Sequence, residues 1–171
     1  MASTLLILCL LASQRPGPCK TAVPPAVVRK LEEAYPTSRV VTLQSLNPHY
    51  RKLYKQEGTG GCPGVASADF FGEGHDSYAV VLKAGRRSAE VYRLVVARRG
   101  ASASWTVQEL EEINDDSAPA VFAEPPGRYE SISDDKILTA VQPVIHLVGY
   151  ESWAIIYGWT GQGFEKVWTS D

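Results

Sequence analysis

Three carboxylates and two glycines share one short stretch of the chain: Asp69, Glu73 and Asp76, with Gly72 and Gly74 between them, lead into the apolar residues 78–82. Glycine opens backbone conformations closed to other residues, so the turn could bring all three side chains to one point. Clustered carboxylate oxygens are what a hard cation takes as ligands, six or more oxygens in all. Asp69, Glu73 and Asp76 are therefore the candidate metal ligands, and calcium is the one cofactor they imply. The EF-hand spacing does not fit, because Phe71 holds the third position and Val80 the twelfth, where a bidentate Glu is required. His75, Asp76 and Ser77 are residue types of nucleophilic hydrolysis. Neighbours in an extended segment point to opposite faces, however, and no Gly-x-Ser-x-Gly elbow occurs. His49, His75 and His146 lack the spacing of zinc ligands. No residue is assigned to catalysis.

Residues 69–80 resemble the Asp-Phe-Asn-Gly-Asp-Gly-x-x-Asp-x-Ala-Val element of FG-GAP and VCBS-type extracellular repeats. The resemblance implies a calcium-binding turn placed before a strand. Asp69, Phe70, Gly72, Gly74, Ala79 and Val80 match that element. Phe71 stands where the family has Asn, Glu73 where it has its second Asp, and Ser77 where it has its last, with Asp76 one place early. More broadly, Cys62-Pro63-Gly64 before the loop and an aromatic hairpin ending in Trp168-Thr169-Ser170-Asp171 make the chain similar to small exported bacterial proteins of unknown function. That likeness implies a fold and no activity.

A second concentration of side chains lies near the C-terminus: Tyr150, Trp153, Tyr157, Trp159, Phe164 and Trp168. Alternation places Trp153, Ile155, Tyr157 and Trp159 on one face of a strand. Such a face is either core, since aromatic rings bury large areas, or an exposed strip that stacks on sugars or clasps a peptide. Trp153, Tyr157 and Trp159 are the candidate interaction residues, with a protein or a glycan as partner. The acidic run Glu109, Glu111, Glu112, Asp115 and Asp116 reads as a solvated edge that discourages strand pairing, or as a docking patch for a basic partner.

The elements that must position these groups follow from periodicity and punctuation. Pro25 opens a helical pattern with Val27, Val28, Leu31 and Tyr35 on one side, and Pro36 ends it. Asn47-Pro48 supplies an N-cap and a first-turn proline for a second helix reaching residue 56. Short strands are expected at 40–43, 77–82, 89–97, 104–110, 120–123, 137–141, 144–148, 152–159 and 164–168, the last two as a hairpin. If 77–82 pairs with 89–97, Arg98 and Arg99 fall beside the Asp69 loop, where a guanidinium could offset the carboxylates without a metal. The expected fold is α+β: two N-terminal helices packed on a mainly antiparallel sheet, a meander with a C-terminal hairpin.

The 171 residues, 44% hydrophobic and 21% charged, fit a single globular domain over residues 20–171. A net charge of −2 gives no field for nucleic acid. Residues 4–13 form an apolar run too short to span a bilayer, which needs about 20 residues, and residues 1–19 are read as a signal peptide. Secretion or periplasmic export follows from that reading, with no membrane span. Loss of Cys9 with the leader leaves Cys19 and Cys62 as the candidate disulfide in an oxidising compartment. The function expected is an exported, non-catalytic binding or interaction module. The alternatives are a small periplasmic or secreted hydrolase dependent on a metal or carboxylates, and a calcium-stabilised structural domain.

Overall fold

The computed structural model describes residues 18–57, 61–84, 90–100 and 102–170. Most of the expected leader lies outside them. In chain order the elements are α1 (Pro18–Thr21), α2 (Pro25–Ala34), β1 (Ser38–Val40), α3 (Pro48–Gln56), β2 (Val65–Ala68), β3 (Ser77–Ala84), β4 (Val91–Arg99), β5 (Trp105–Asn114), β6 (Ala120–Glu124), β7 (Gly127–Glu130), β8 (Ile137–Ala140), β9 (Val144–Gly149), β10 (Trp153–Trp159) and β11 (Phe164–Ser170). The helices form where their caps predict. Asn47 accepts a hydrogen bond from the Tyr50 N–H at 2.9 Å, and Pro25 and Pro48 each occupy a first turn.

All strand pairs are antiparallel and fall into three sheets. The first runs β1-β3-β4-β5, with β2 sharing the edge of β3: β1 pairs its C-terminal half and β2 its N-terminal half. The second runs β11-β10-β9-β6. The third is the β7–β8 hairpin. Val81, Leu94 and Val96 from the first sheet meet Val121, Ile145, Leu147 and Ile155 from the second, and this interior is the main core. The side chains between them lie on the other faces. Val80, Leu82 and Val95 pack outward under Val23, Val27 and Leu31, so α2 covers the back of the first sheet. Val144, Ile156 and Val167 pack under Leu138 and Ala140 of the hairpin. Close approach requires a glycine here: a Cβ on Gly158 would stand 2.8 Å from a Leu138 methyl.

The α+β expectation is overturned. Strands take up 47% of the described residues and helices 15%, and the helices are not packed together on one sheet. Only α2 lies on the first sheet's outer face. α3 sits against the β6 side of the second, where Tyr54 stacks on Phe122 with ring centres 5.8 Å apart and Tyr50 meets Tyr150 at a tilt, 5.5 Å away. The physical reason is burial on both faces: Val80 and Val81, like Val95 and Val96, are all but inaccessible, so the apolar surface of β3 and β4 requires a second sheet as well as a helix. The expected pair Cys19 and Cys62 is joined as a disulfide, tying α1 to the segment before β2. Among the described residues no helix is long and apolar enough to cross a membrane.

Candidate functional site

The turn between β2 and β3 is held by its own polar groups. Asp69 Oδ1 accepts the Glu73 N–H at 2.8 Å and Oδ2 the Gly74 N–H at 2.7 Å, which fixes the bend while Gly72 and Gly74 adopt φ of 71° and 77°. Ser77, at 1% exposure, donates to the Ala68 carbonyl at 2.8 Å and accepts from the Phe70 N–H at 3.2 Å, pinning both ends of the loop. Burial pushes the Asp69 pKa up, but the N–H groups of Glu73, Gly74 and Gly72 together with nearby His75 outweigh it, and the carboxyl is held below its ordinary range.

Register then delivers the arginine. Tyr78 pairs with Ala97, so Arg98 stands beside the loop as the sequence predicts. Its Nε lies 3.2 Å from each Glu73 carboxylate oxygen and its Nη2 bonds Oε1 as well. That hydrogen bonding holds the Glu73 pKa below the usual carboxylate range and raises that of Arg98. The guanidinium also lies 4.6 Å from the Phe71 ring centre and 5.5 Å from that of Trp159. Phe71 meets Trp159 and Phe164 edge-on at 4.9 and 5.4 Å. Two features widely separated in sequence, the acidic turn and the aromatic hairpin, thus form one closed corner.

The candidate metal ligands do not gather around a shared point. Both Asp69 oxygens face the backbone, Glu73 faces Arg98, and Asp76 is exposed at the entry to β3. Among the described residues no three His, Cys, Asp or Glu side chains form a group able to hold a metal ion. His75 Nε2 lies 3.9 Å from Glu73, and its buried Nδ1 has no partner. Ser77 is enclosed by backbone hydrogen bonds, so His75, Asp76 and Ser77 do not assemble as a nucleophilic triad.

Of the candidate interaction residues Tyr157 turns inward, whereas Trp153 is half-buried and also lines an open groove. Trp153 donates from Nε1 to Asp115 at 2.7 Å. Tyr157 is 2% exposed, and its hydroxyl donates to Glu111 at 3.1 Å; burial first, then Glu111, pushes its pKa up. Trp159 belongs to the closed corner. The acidic run is spent in the same way: Glu109 and Glu112 bracket Arg93 at 3.1 and 2.6 Å, and Lys166 donates to Glu111 at 2.7 Å.

No protein-family model matches the chain, and neither a curated protein nor a solved structure matches it.

An open site lies on the back of the second sheet. The β7–β8 hairpin covers one half of that face and leaves the other as a groove of about 500 Å³, with Phe122, Val148 and Ala154 on its floor and Glu57, Glu124 and Glu151 at its margins. Glu57 accepts from the Tyr150 hydroxyl at 2.7 Å, Glu124 lies 3.4 Å from His146 Nδ1, and Glu151 lies 2.9 Å from His49 Nε2. A second cleft of about 410 Å³ shares Ser152 and Trp153 with the groove and extends it to Ser133 and Trp168, a ring 36% exposed. Trp153, an interaction candidate from the sequence, and Tyr150 and Trp168 of the same aromatic concentration all line this surface; the acidic and apolar remainder of the groove was not foreseen. A further signal is that Val144, Ile145, Leu147 and Val148 place apolar side chains on both faces of β9.

Proposed function

We propose that the protein is an exported, non-catalytic binding module. The observation that carries this reading is the closure of the loop whose residue types could do chemistry: its carboxylates are used by backbone N–H groups and by Arg98, while a groove of about 500 Å³ lies open on the back of the second sheet. A hydrolase needs a carboxylate or imidazole open to substrate, commonly with a perturbed pKa that favours proton transfer. The Asp69 and Glu73 shifts go the other way, towards permanently ionised structural groups. The Cys19–Cys62 bond supports export, because such bonds persist in oxidising compartments. The bonded pair stays in the mature chain where the leader is cut before Cys19, earlier than the boundary after residue 19 read from the sequence.

The turn is a relative of the calcium loops of extracellular repeats in which Arg98 does the work of the cation. Three departures from the repeat element support this: Phe71 in place of Asn supplies the ring on which Arg98 rests, Glu73 reaches the guanidinium, and Ser77 bonds backbone. Calcium titration monitored by Tm tests it. No change is expected with micromolar calcium, and a rise overturns the ion-free turn. The module reading itself is tested by binding to a panel of cell-envelope glycans and secreted proteins, with product analysis of every ligand retained. Ligand recovered intact supports a module; cleavage that Asp69→Asn or His75→Ala abolishes establishes a hydrolase instead.

A further inference from the structure

We infer that the groove on the back of the second sheet binds an extended peptide segment in which basic side chains flank an apolar one. The inference rests on the module reading above and names the class of its partner. The floor is apolar, formed by Phe122, Val148 and Ala154, whereas the ionised groups around it are three carboxylates. Among the described residues no lysine or arginine lines either the groove or the adjoining cleft. Among the described residues, Glu57, Glu124 and Glu151 have a tyrosine hydroxyl or an imidazole as partner. Glu124 and Glu151 keep 41% and 59% of their side-chain surface exposed. A lysine or arginine arriving from outside therefore meets an uncompensated negative rim without a buried charge to displace.

Shape selects an extended ligand. The groove crosses the strands from Ser170 on β11 to Phe122 on β6, three interstrand steps in the order β11-β10-β9-β6. At about 4.8 Å per step that is roughly 14 Å, the length of about four extended residues. An apolar side chain on the floor and basic ones reaching the margins satisfy both kinds of surface. Ser133 and Ser152, in the cleft beside Trp168, offer hydroxyls to the peptide backbone at that end.

Isothermal titration of the full chain at low ionic strength tests this with three probes: acetyl-Lys-Leu-Lys-Leu-Lys-amide, the same peptide with Glu for Lys, and a neutral xylan or chitin oligosaccharide. The basic peptide is expected to bind at least tenfold more tightly than the acidic one and to weaken as salt is added. Glu124→Gln and Glu151→Gln, both on exposed side chains, are each expected to weaken it about two- to fivefold, the scale of one exposed ion pair. Equal affinity for both peptides, no binding of the basic peptide, or binding that the two substitutions leave unchanged overturns the inference. Tight binding of the neutral oligosaccharide alone also overturns it, while leaving the module reading intact. Cleavage of the basic peptide sinks the module reading instead.

Discussion

The Asp69 corner and the groove behind the second sheet hold similar numbers of carboxylates and have opposite fates. In the corner, Glu73 meets a guanidinium wedged against two aromatic rings, and Asp69 meets two backbone N–H groups. In the groove, Glu57, Glu124 and Glu151 meet a phenol and two imidazoles and face open volume. An acidic side chain becomes architecture when its partners are fixed within the same fold. It stays available for recognition when its partners are weak and one side is empty. Motif resemblance points to the first region, and surface chemistry points to the second.

The largest expected effect comes from removing the ring that joins the corner together. Phe71→Ala should destabilise by about 3–5 kcal/mol in chemical denaturation, because an 8%-exposed ring loses contact with Trp159, Phe164 and Arg98 at once. A loss below about 1 kcal/mol would mean that the corner is not a packed unit. Asp69→Ala should cost about 1–3 kcal/mol, the range for hydrogen bonds to a charged acceptor. Its pH dependence has a fixed sign. The Asp69 and Glu73 pKa values are depressed in the fold, so their stabilisation is present above about pH 4 and disappears as pH falls through the lower folded values. The gap between wild type and Asp69→Asn should therefore close on acidification.

Buried tyrosines set the other limit. Burial first, and then Glu90, Glu57 or Glu111, raises the pKa of Tyr92, Tyr150 and Tyr157. The unfolded chain ionises them at about pH 10, and each should remove stability by about 1 kcal/mol per pH unit above that point. Tyr150→Phe and Tyr157→Phe should each flatten the alkaline limb of a stability-versus-pH curve. The smallest effect is expected in the groove: Glu124→Gln and Glu151→Gln should change stability by no more than about 0.5 kcal/mol. A larger loss from either would make the rim structural and erase its contrast with the corner.

Local signals were legible where one residue dictates one conformation. Pro25, Asn47-Pro48 and Pro36 fix the helix ends, and the register of β3 against β4 brings Arg98 to the loop. The two-sheet arrangement was not legible, because apolar residues on both faces of β3 and β4 can be covered by helices or by a second sheet and periodicity does not say which. β2 and β7 are four-residue strands without a β-rich composition, and they form because neighbours pair with them. Of the groove and its cleft, the aromatic part, Tyr150, Trp153 and Trp168, was legible, and the rest was hidden for a topological reason. Glu57, Phe122 and His146 belong to elements far apart in the chain, and they meet only because β6 crosses to pair with β9 while α3 closes the edge. Alternation put Tyr157 on one face with Ile155, but it could not say which side is inside.

The Cys19–Cys62 bond fastens the chain immediately before the helix that covers Val80, Leu82 and Val95. While it is closed, the covalent route from α2 to the strands beneath it bypasses β1 and α3, and the helix has little freedom to leave. Reduction restores the long route, and α2 becomes a unit able to detach while the sandwich stays folded. A thiol reductant should therefore raise amide hydrogen exchange in residues 25–34 before it affects β4. It should also bare a sticky apolar sheet face, so that the reduced chain self-associates more readily than the bonded one.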